Sequence, residues 1–343
     1  MADGDAKVCV ITGVGFDPRC RTALERIIAV SPPNCVSVLG LRLRTPLDQI
    51  GPVQSTAAAA EQNLKAIAES TANVMAIADV FLQDQNGFPS GGRTALNLVA
   101  AHLTALQQFS HVVVDISGLP RSIFYPVISF LCNRSDSGVI KNLHVAVCES
   151  TDLDDKIHLS EFGDADYVHT FRLVGEKKLV WLPIVASRER DRILKIFNQL
   201  KDDCLEICPV LPFPADNLRK PDDVLVDNND VLFQELSVTP SNLLLCDEMN
   251  PFDVYRKIID LHDYYVEKLA VLVGDVTTVI SPLSSKLLSL GALLAAIERK
   301  LPVSYVEAGL YTLDASAVEL YEKLQLEPLE VWLTGEPYGD GTA

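Results

Sequence analysis

The sequence predicts an α/β fold made of two tandem, doubly wound units with mainly parallel sheets. Three observations carry that expectation. Short apolar runs such as HVVVDIS and VTTVISP are continuous, without polar alternation, as strands buried on both faces of a parallel sheet require. These runs alternate with helical stretches along the chain. The second half repeats the first in its arginine and cysteine positions.

The elements follow in order. Strands are expected at 7–13, 35–42, 73–81, 111–117 and 143–148, with helices at 18–30, 56–71, 92–108 and 120–132. A second set has strands at 179–185, 204–210, 242–246, 276–281 and 303–307, with helices at 187–201, 224–236, 251–269 and 284–299. RCRTALERIIAVSPPNC, Arg19 to Cys35, lies over RERDRILKIFNQLKDDC, Arg188 to Cys204, at an offset of 169. Arg19 meets Arg188, Arg21 meets Arg190, and Cys35 meets Cys204. VVVDISGLPR (Val112 to Arg121) is matched with TTVISPLSSK (Thr277 to Lys286), and Ile116-Ser117 meets Ile280-Ser281 at an offset of 164. The repeat makes each half a Rossmann-like unit, 1–174 and 175–343, with the boundary near Val174 to Lys178.

Composition narrows the function. The 343 residues suit two domains rather than one small core. With 48% hydrophobic and 22% charged residues the chain is globular. Its longest apolar runs, such as Leu287 to Ile297, are too short and broken to cross a bilayer. The start, MADGDAKV, has no basic region ahead of an apolar one. A cytoplasmic protein is expected. The formal net charge of −17 opposes a sequence-tolerant grip on duplex nucleic acid, but a few arginines can still build a local anion pocket. The eight cysteines lie in or beside expected strands and helices, with no zinc spacing, and read as buried reduced thiols. No metal and no cofactor is expected. The acidic segment Asp222 to Asp230 reads as a solvated loop or helix start. The tail EPYGDGTA has the composition of a disordered end, and Trp181 and Trp332 sit in apolar runs that suit packing.

In an open parallel sheet, ligands bind beyond the carboxyl ends of the strands where the strand order reverses, facing helix N-termini. Four loops qualify. GVGFDPR follows the first strand, with Gly15, Asp17, Arg19 and Arg21 as candidates. VASRER is its counterpart, with Arg188 and Arg190. SGLPR follows the fourth strand, with Ser117 and Arg121. SPLSSK is its counterpart, with Ser284, Ser285 and Lys286. Small residues admit backbone to a ligand, and guanidinium forks match phosphate oxygens. A fifth loop, Ser90-Gly91-Gly92-Arg93-Thr94, reads as an anion nest or as a plain turn before a helix. DEMNPFDVYRKI, Asp247 to Ile258, is its counterpart, and its Tyr255 and Arg256 could line a pocket or pack on the sheet. Gly13-x-Gly15 lacks the third glycine of a dinucleotide fingerprint, and no P-loop is present. The bland alternatives are that Arg19 and Arg21 are solvated helix-end residues and that the serines only cap a helix.

ISPLSSKLLSLGALLAAIERKLPVSYVEAG resembles the signature of CARF domains: a strand, a small-residue loop ending in Ser-Lys, an Ala/Leu-rich helix, then Pro302-Val303-x-Tyr305-Val306. That resemblance implies a Rossmann-like fold that senses cyclic oligoadenylates through the loops after the first and fourth strands. Two such units in tandem are similar to SAVED domains of bacterial anti-phage systems. The first half departs from the pattern, with GLPR where the second has SSK. The expected function is a nucleotide sensor, binding a nucleotide or cyclic oligonucleotide and acting through a separate effector protein, as a monomer or homo-oligomer. Two rivals stay open. One is a nucleotide or nucleotide-sugar enzyme using Asp17, Asp115 or Glu307. The other is a non-catalytic assembly subunit.

Overall fold

The computed structural model describes residues 6–44, 54–70, 73–84 and 88–338. Asn86 and Gly87 of the glycine-rich loop, and residues 339–343 of the tail, lie outside the described residues.

The chain forms two compact units. The first comprises 1–161 together with 308–343, and the second 162–307. In order, the first unit contains β1 (Val8–Val14), α1 (Thr22–Val30), β2 (Val36–Arg44), α2 (Gln54–Ser70), β3 (Asn73–Phe81), α3 (Gly91–Ala101), α4 (Leu103–Leu106), β4 (His111–Asp115), α5 (Arg121–Asp136), β5 (Leu143–Val147) and α6 (Thr151–Asp154). The chain then leaves along β6 (Ile157–Tyr167). The second unit holds β7 (Lys178–Ile184), α7 (Arg190–Leu200), β8 (Cys204–Ile207), β9 (Val210–Pro212), α8 (Lys220–Asp227), β10 (Leu244–Cys246), α9 (Pro251–Val273), β11 (Val276–Pro282) and α10 (Lys286–Arg299). The chain returns along β12 (Ser304–Leu313), which pairs with β6, and closes with α11 (Ala317–Lys323) and β13 (Leu329–Thr334).

The fold is α/β with mainly parallel sheets. The first sheet runs β13-β5-β4-β1-β2-β3, with every pair parallel except β13 on β5. Every residue of β1, β4 and β5 is buried, which is why these strands read as unbroken apolar runs. The second sheet runs β10-β9-β7-β11, all parallel, with β8 also on β7 and Val303 bridging Ile280 at the far side. Both units therefore share the Rossmann order 3-2-1-4-5. Their registers agree too. Thr12 faces Asp115 across β1 and β4, and Trp181 faces Val279 across β7 and β11. Those pairs are related by the two offsets read from the sequence, 169 and 164.

Four differences from the sequence expectations have physical reasons. The boundary at 174/175 is displaced, because β13 pairs with β5 and returns the C-terminal segment to the first unit. The strand expected at 204–210 divides into β8 and β9, since Pro209 has no N–H to give to a ladder. The helix expected at 224–236 is α8 followed by a wider π-type turn at Asp230–Glu235. The expected disordered tail begins instead with a 3-10 turn, Glu336–Tyr338, where Glu336 N–H donates to Asn142 Oδ1 at 2.9 Å.

The second unit's core is α10, with Leu287 to Leu293, Ala295 and Ala296 buried, so it is apolar on all sides. Gly291 lets α9 cross it closely. A Cβ there would lie 2.0 Å from the Pro251 carbonyl oxygen. All eight cysteines are free, and burial pushes the Cys9 and Cys246 thiols up to about 12. No helix among the described residues is long and apolar enough to cross a membrane.

Candidate functional site

The strand order reverses between β1 and β4 in the first unit and between β7 and β11 in the second. Those two carboxyl edges are where a ligand of this fold belongs. The structure treats them in opposite ways.

In the first unit the edge is filled by protein. A Cβ on Gly13 would lie 2.7 Å from Leu119 Cδ2, and one on Gly118 would lie 2.9 Å from Cys20 Cβ. Leu119 and Cys20 are fully buried, so the glycines here bring the two loops onto each other. Gly15 is buried, and its carbonyl accepts from Asn63 Nδ2 at 2.9 Å. Ser117 Oγ donates to Asp115 Oδ1 at 2.6 Å and accepts from Cys148 N–H at 2.8 Å. Asp115 has no exposed surface and also accepts from the Ser117 N–H. Arg121 begins α5 and is half-buried.

The two arginines of the loop after β1 are neither solvated nor open to a ligand. Arg19 is 6% exposed. Its Nε and Nη2 hold Asp17, and its Nη1 holds Asp154 Oδ1 at 2.7 Å. Burial opposes the charge, but Asp17 and Asp154 more than offset it and hold the guanidinium above its ordinary value. Asp17 also caps the turn Pro18–Arg21 by accepting from Arg19 N–H. Arg21 is 9% exposed, pairs with Glu322 at 2.8 Å and lies 4.8 Å over the Tyr321 ring. Its partners are 300 residues away, on α11, and no local sequence signal announces them.

The anion nest is also occupied. Ser90 and Gly91 N–H groups donate to the Leu82 carbonyl, at 3.0 and 3.3 Å, and Ser90 Oγ donates to the Phe81 carbonyl. Arg93 is left exposed in the first turn of α3. Its counterpart residues pack along α9. Tyr255 donates to Glu298, and Arg256 Nε donates to the Phe252 carbonyl.

In the second unit the corresponding positions face solvent. Arg188, counterpart of Arg19, is exposed and makes no ion pair among the described residues. Its φ of +62° is the left-handed region that a branched-off side chain seldom adopts. Arg190, counterpart of Arg21, is also exposed, with Glu235 as its partner. Across the edge, Ser285 caps α10 by accepting from Leu288 N–H at 3.3 Å. Ser284 is buried and Lys286 is half-buried. Leu283 N–H donates to the Ile184 carbonyl, which ties this loop to the end of β7.

Several residues that sequence reasoning missed hold this edge in shape. Asn228, 1% exposed, donates to the Ala186 carbonyl and accepts from Glu189 N–H, clamping the loop that carries Arg188. It lies in the acidic segment expected to be a solvated loop or helix start. Glu189 in turn holds the buried Arg192 at 3.0 Å through both oxygens. Arg192 lies 5.0 Å from the Tyr305 ring centroid. Beyond the ends of the neighbouring strands, Lys220 at the start of α8 pairs with the buried Glu248 after β10, and Glu248 N–H donates to the carbonyl of Pro214 after β9. These loops leave Phe213, Met249 and Phe252 about two-fifths exposed. Apolar runs usually signal core, so exposed rings at a strand end carried no distinguishing pattern.

No family model matches the chain, and no curated protein matches it. Among solved structures, a match is a crystal structure from Pseudomonas aeruginosa UCBPP-PA14 described as a universal stress protein. It has 9% identity and a TM-score of 0.25, over 93% of this chain and 98% of that one. The α/β assignment stands on the strand order itself.

Proposed function

We propose that this protein is a cytoplasmic nucleotide sensor whose phosphate site is the carboxyl edge of the second sheet. The observation that carries the reading is the contrast at matched positions: Arg19 is sealed between carboxylates, whereas Arg188 is exposed at the equivalent switch point. Arg188 stands on the loop beside the Ser284-Ser285-Lys286 loop, where helix N-termini and cations suit phosphate oxygens. Phe213 and Met249 lie on the next loops of the same edge, and Phe252 lies in the first turn of α9. They offer apolar surface on which a base could stack.

Two considerations favour sensing over turnover. Of the three carboxylates an enzyme could use, Asp17 is engaged with Arg19 and Asp115 with Ser117, and Glu307 is buried. The resemblance of Ile280 to Val306 to CARF domains adds a cyclic oligonucleotide as the ligand and a separate effector as the output. Thermal stabilisation against linear nucleotides, cyclic di-, tri- and tetranucleotides and nucleotide sugars tests this, because a ligand that binds only the folded state raises the melting temperature. A shift with a cyclic oligonucleotide, lost in Lys286→Ala, is expected. A shift with a nucleotide sugar alone would favour the enzyme, and no shift with any of them would favour the assembly subunit.

A further inference from the structure

The loop that carries Arg188 and Arg190 runs straight into α7, and one face of that helix grips the two strands by which the chain enters and leaves the second unit. Those strands are β6 and β12, which pair with each other, and both boundaries between the units fall within them. The contacts come from Arg192, Lys195 and Gln199, at the i, i+3 and i+7 spacing of a single helix face. The Arg192 guanidinium lies 5.6 Å from the ring centroid of Phe162 on β6 and 5.0 Å from that of Tyr305 on β12. Lys195 Nζ lies 3.9 Å from Asp164 Oδ1 on β6. Ser304 Oγ on β12 donates to Gln199 Oε1 at 2.5 Å. The other end of the linkage is in the loop itself. Glu189, between Arg188 and Arg190, accepts from Arg192 Nη1 with both carboxylate oxygens at 3.0 Å.

Arg192 is 4% exposed. A cation so far out of water depends on its carboxylate and on the ring faces around it. A change at Glu189 therefore alters the footing of Arg192 between the two rings. The first unit has no such grip at the matched positions. At the offset of 169, Arg192, Lys195 and Gln199 correspond to Ala23, Arg26 and Val30. Ala23 is buried in the core, Arg26 pairs with Glu327, and Val30 is 79% exposed. The half whose carboxyl edge is sealed lacks the linkage, and the half whose edge is open has it.

We propose that α7 is the transmission element of the sensor: Arg192 couples the Arg188 loop to the β6–β12 ribbon, so that a ligand held by the loop changes the stability of the ribbon. The ligand's part rests on the reading of this edge as the nucleotide site, whereas the coupling from Glu189 through Arg192 to the ribbon does not. An anionic ligand on Arg188 and Arg190 orders the residues on both sides of Glu189. It thereby fixes the carboxylate that holds Arg192, and the ribbon gains protection.

Hydrogen–deuterium exchange of the full-length protein without ligand tests the coupling. Glu189→Gln removes the charge that holds Arg192 and keeps the length of the side chain. Protection at 162–167 and 304–307 should fall about tenfold, while β7 and β11 keep theirs. Arg192→Met should lower it as much. Glu189→Gln added to Arg192→Met should lower it little further, because both changes cut one route. Unchanged ribbon protection in Glu189→Gln, equal loss in β7 and β11, or full additivity of the two changes would each overturn the proposal. If Arg192→Met does not fold, Tyr305→Leu replaces it in the cycle. A nucleotide that raises the melting temperature but leaves ribbon protection unchanged would overturn it as well. No melting shift with any nucleotide would count against the nucleotide site alone, and the exchange cycle would still decide the coupling.

Discussion

Arg19 and Arg188 occupy equivalent places in a duplicated loop, yet their surroundings give them opposite energetics. Arg19 is a buried cation between two carboxylates. Removing one partner of such a set leaves uncompensated charge in a low-dielectric site. Arg19→Met should therefore destabilise the first unit by about 3 kcal/mol, read as a lower urea midpoint with an unchanged slope. Arg188 is exposed and sits at φ +62°. Glycine adopts that backbone without the cost an L side chain bears, so Arg188→Gly should stabilise the protein by about 1 kcal/mol. The same change removes a proposed phosphate ligand and should weaken nucleotide binding. Raised melting temperature with lost ligand response would separate a functional arginine from a structural one. A lowered melting temperature would mean that the guanidinium contributes to the fold. The sequence could place both arginines at the switch points but could not tell them apart. What distinguishes Arg19 is Asp154, 135 residues further on, and a contact so distant leaves no local pattern.

At the scale of elements, what was legible is what local chemistry determines. The central strands were, because burial on both faces demands unbroken apolar runs. The repeat was, because its offsets survive in the strand register. The strand β13 was not, because LEVWLT is half exposed at an edge and owes its position to β5, some 180 residues earlier. The packing of α9 on α10 was also hidden, since a glycine within an Ala/Leu-rich helix looks like a weakness until its neighbour is known. Gly291 is a close-approach position, with Pro251 backbone where a Cβ would be. Gly291→Ala should raise intrinsic helix propensity yet cost about 1–3 kcal/mol through overpacking, because a backbone neighbour cannot rotate away. Equal or greater stability in chemical denaturation would show that α9 shifts freely, and would weaken the case that α10 rigidly presents Ser285 and Lys286.

At the scale of the molecule, the first unit is discontinuous, and its last segment supplies parts that its first segment lacks. From α11 come Tyr321, which bonds Thr22 at 3.1 Å, and Glu322, which pairs with the buried Arg21. From β13 comes the cover on the edge of β5, and an uncovered edge is an invitation to mispairing. The second unit, 162–307, builds its central sheet from its own strands. A chain ending at Glu307 should therefore lose native-state exchange protection across Val8–Val14 and His111–Asp115 while Lys178–Ile184 and Val276–Pro282 keep theirs. The loss should be at least about 3 kcal/mol, the scale of leaving a buried guanidinium without its carboxylate. It should also bring aggregation through the exposed β5 edge. Protection that falls equally in all four strands would mean that the duplicated halves are stabilised as one cooperative body. Protection retained in all four would mean that the returning segment is dispensable, and that the first sheet needs neither α11 nor its antiparallel edge.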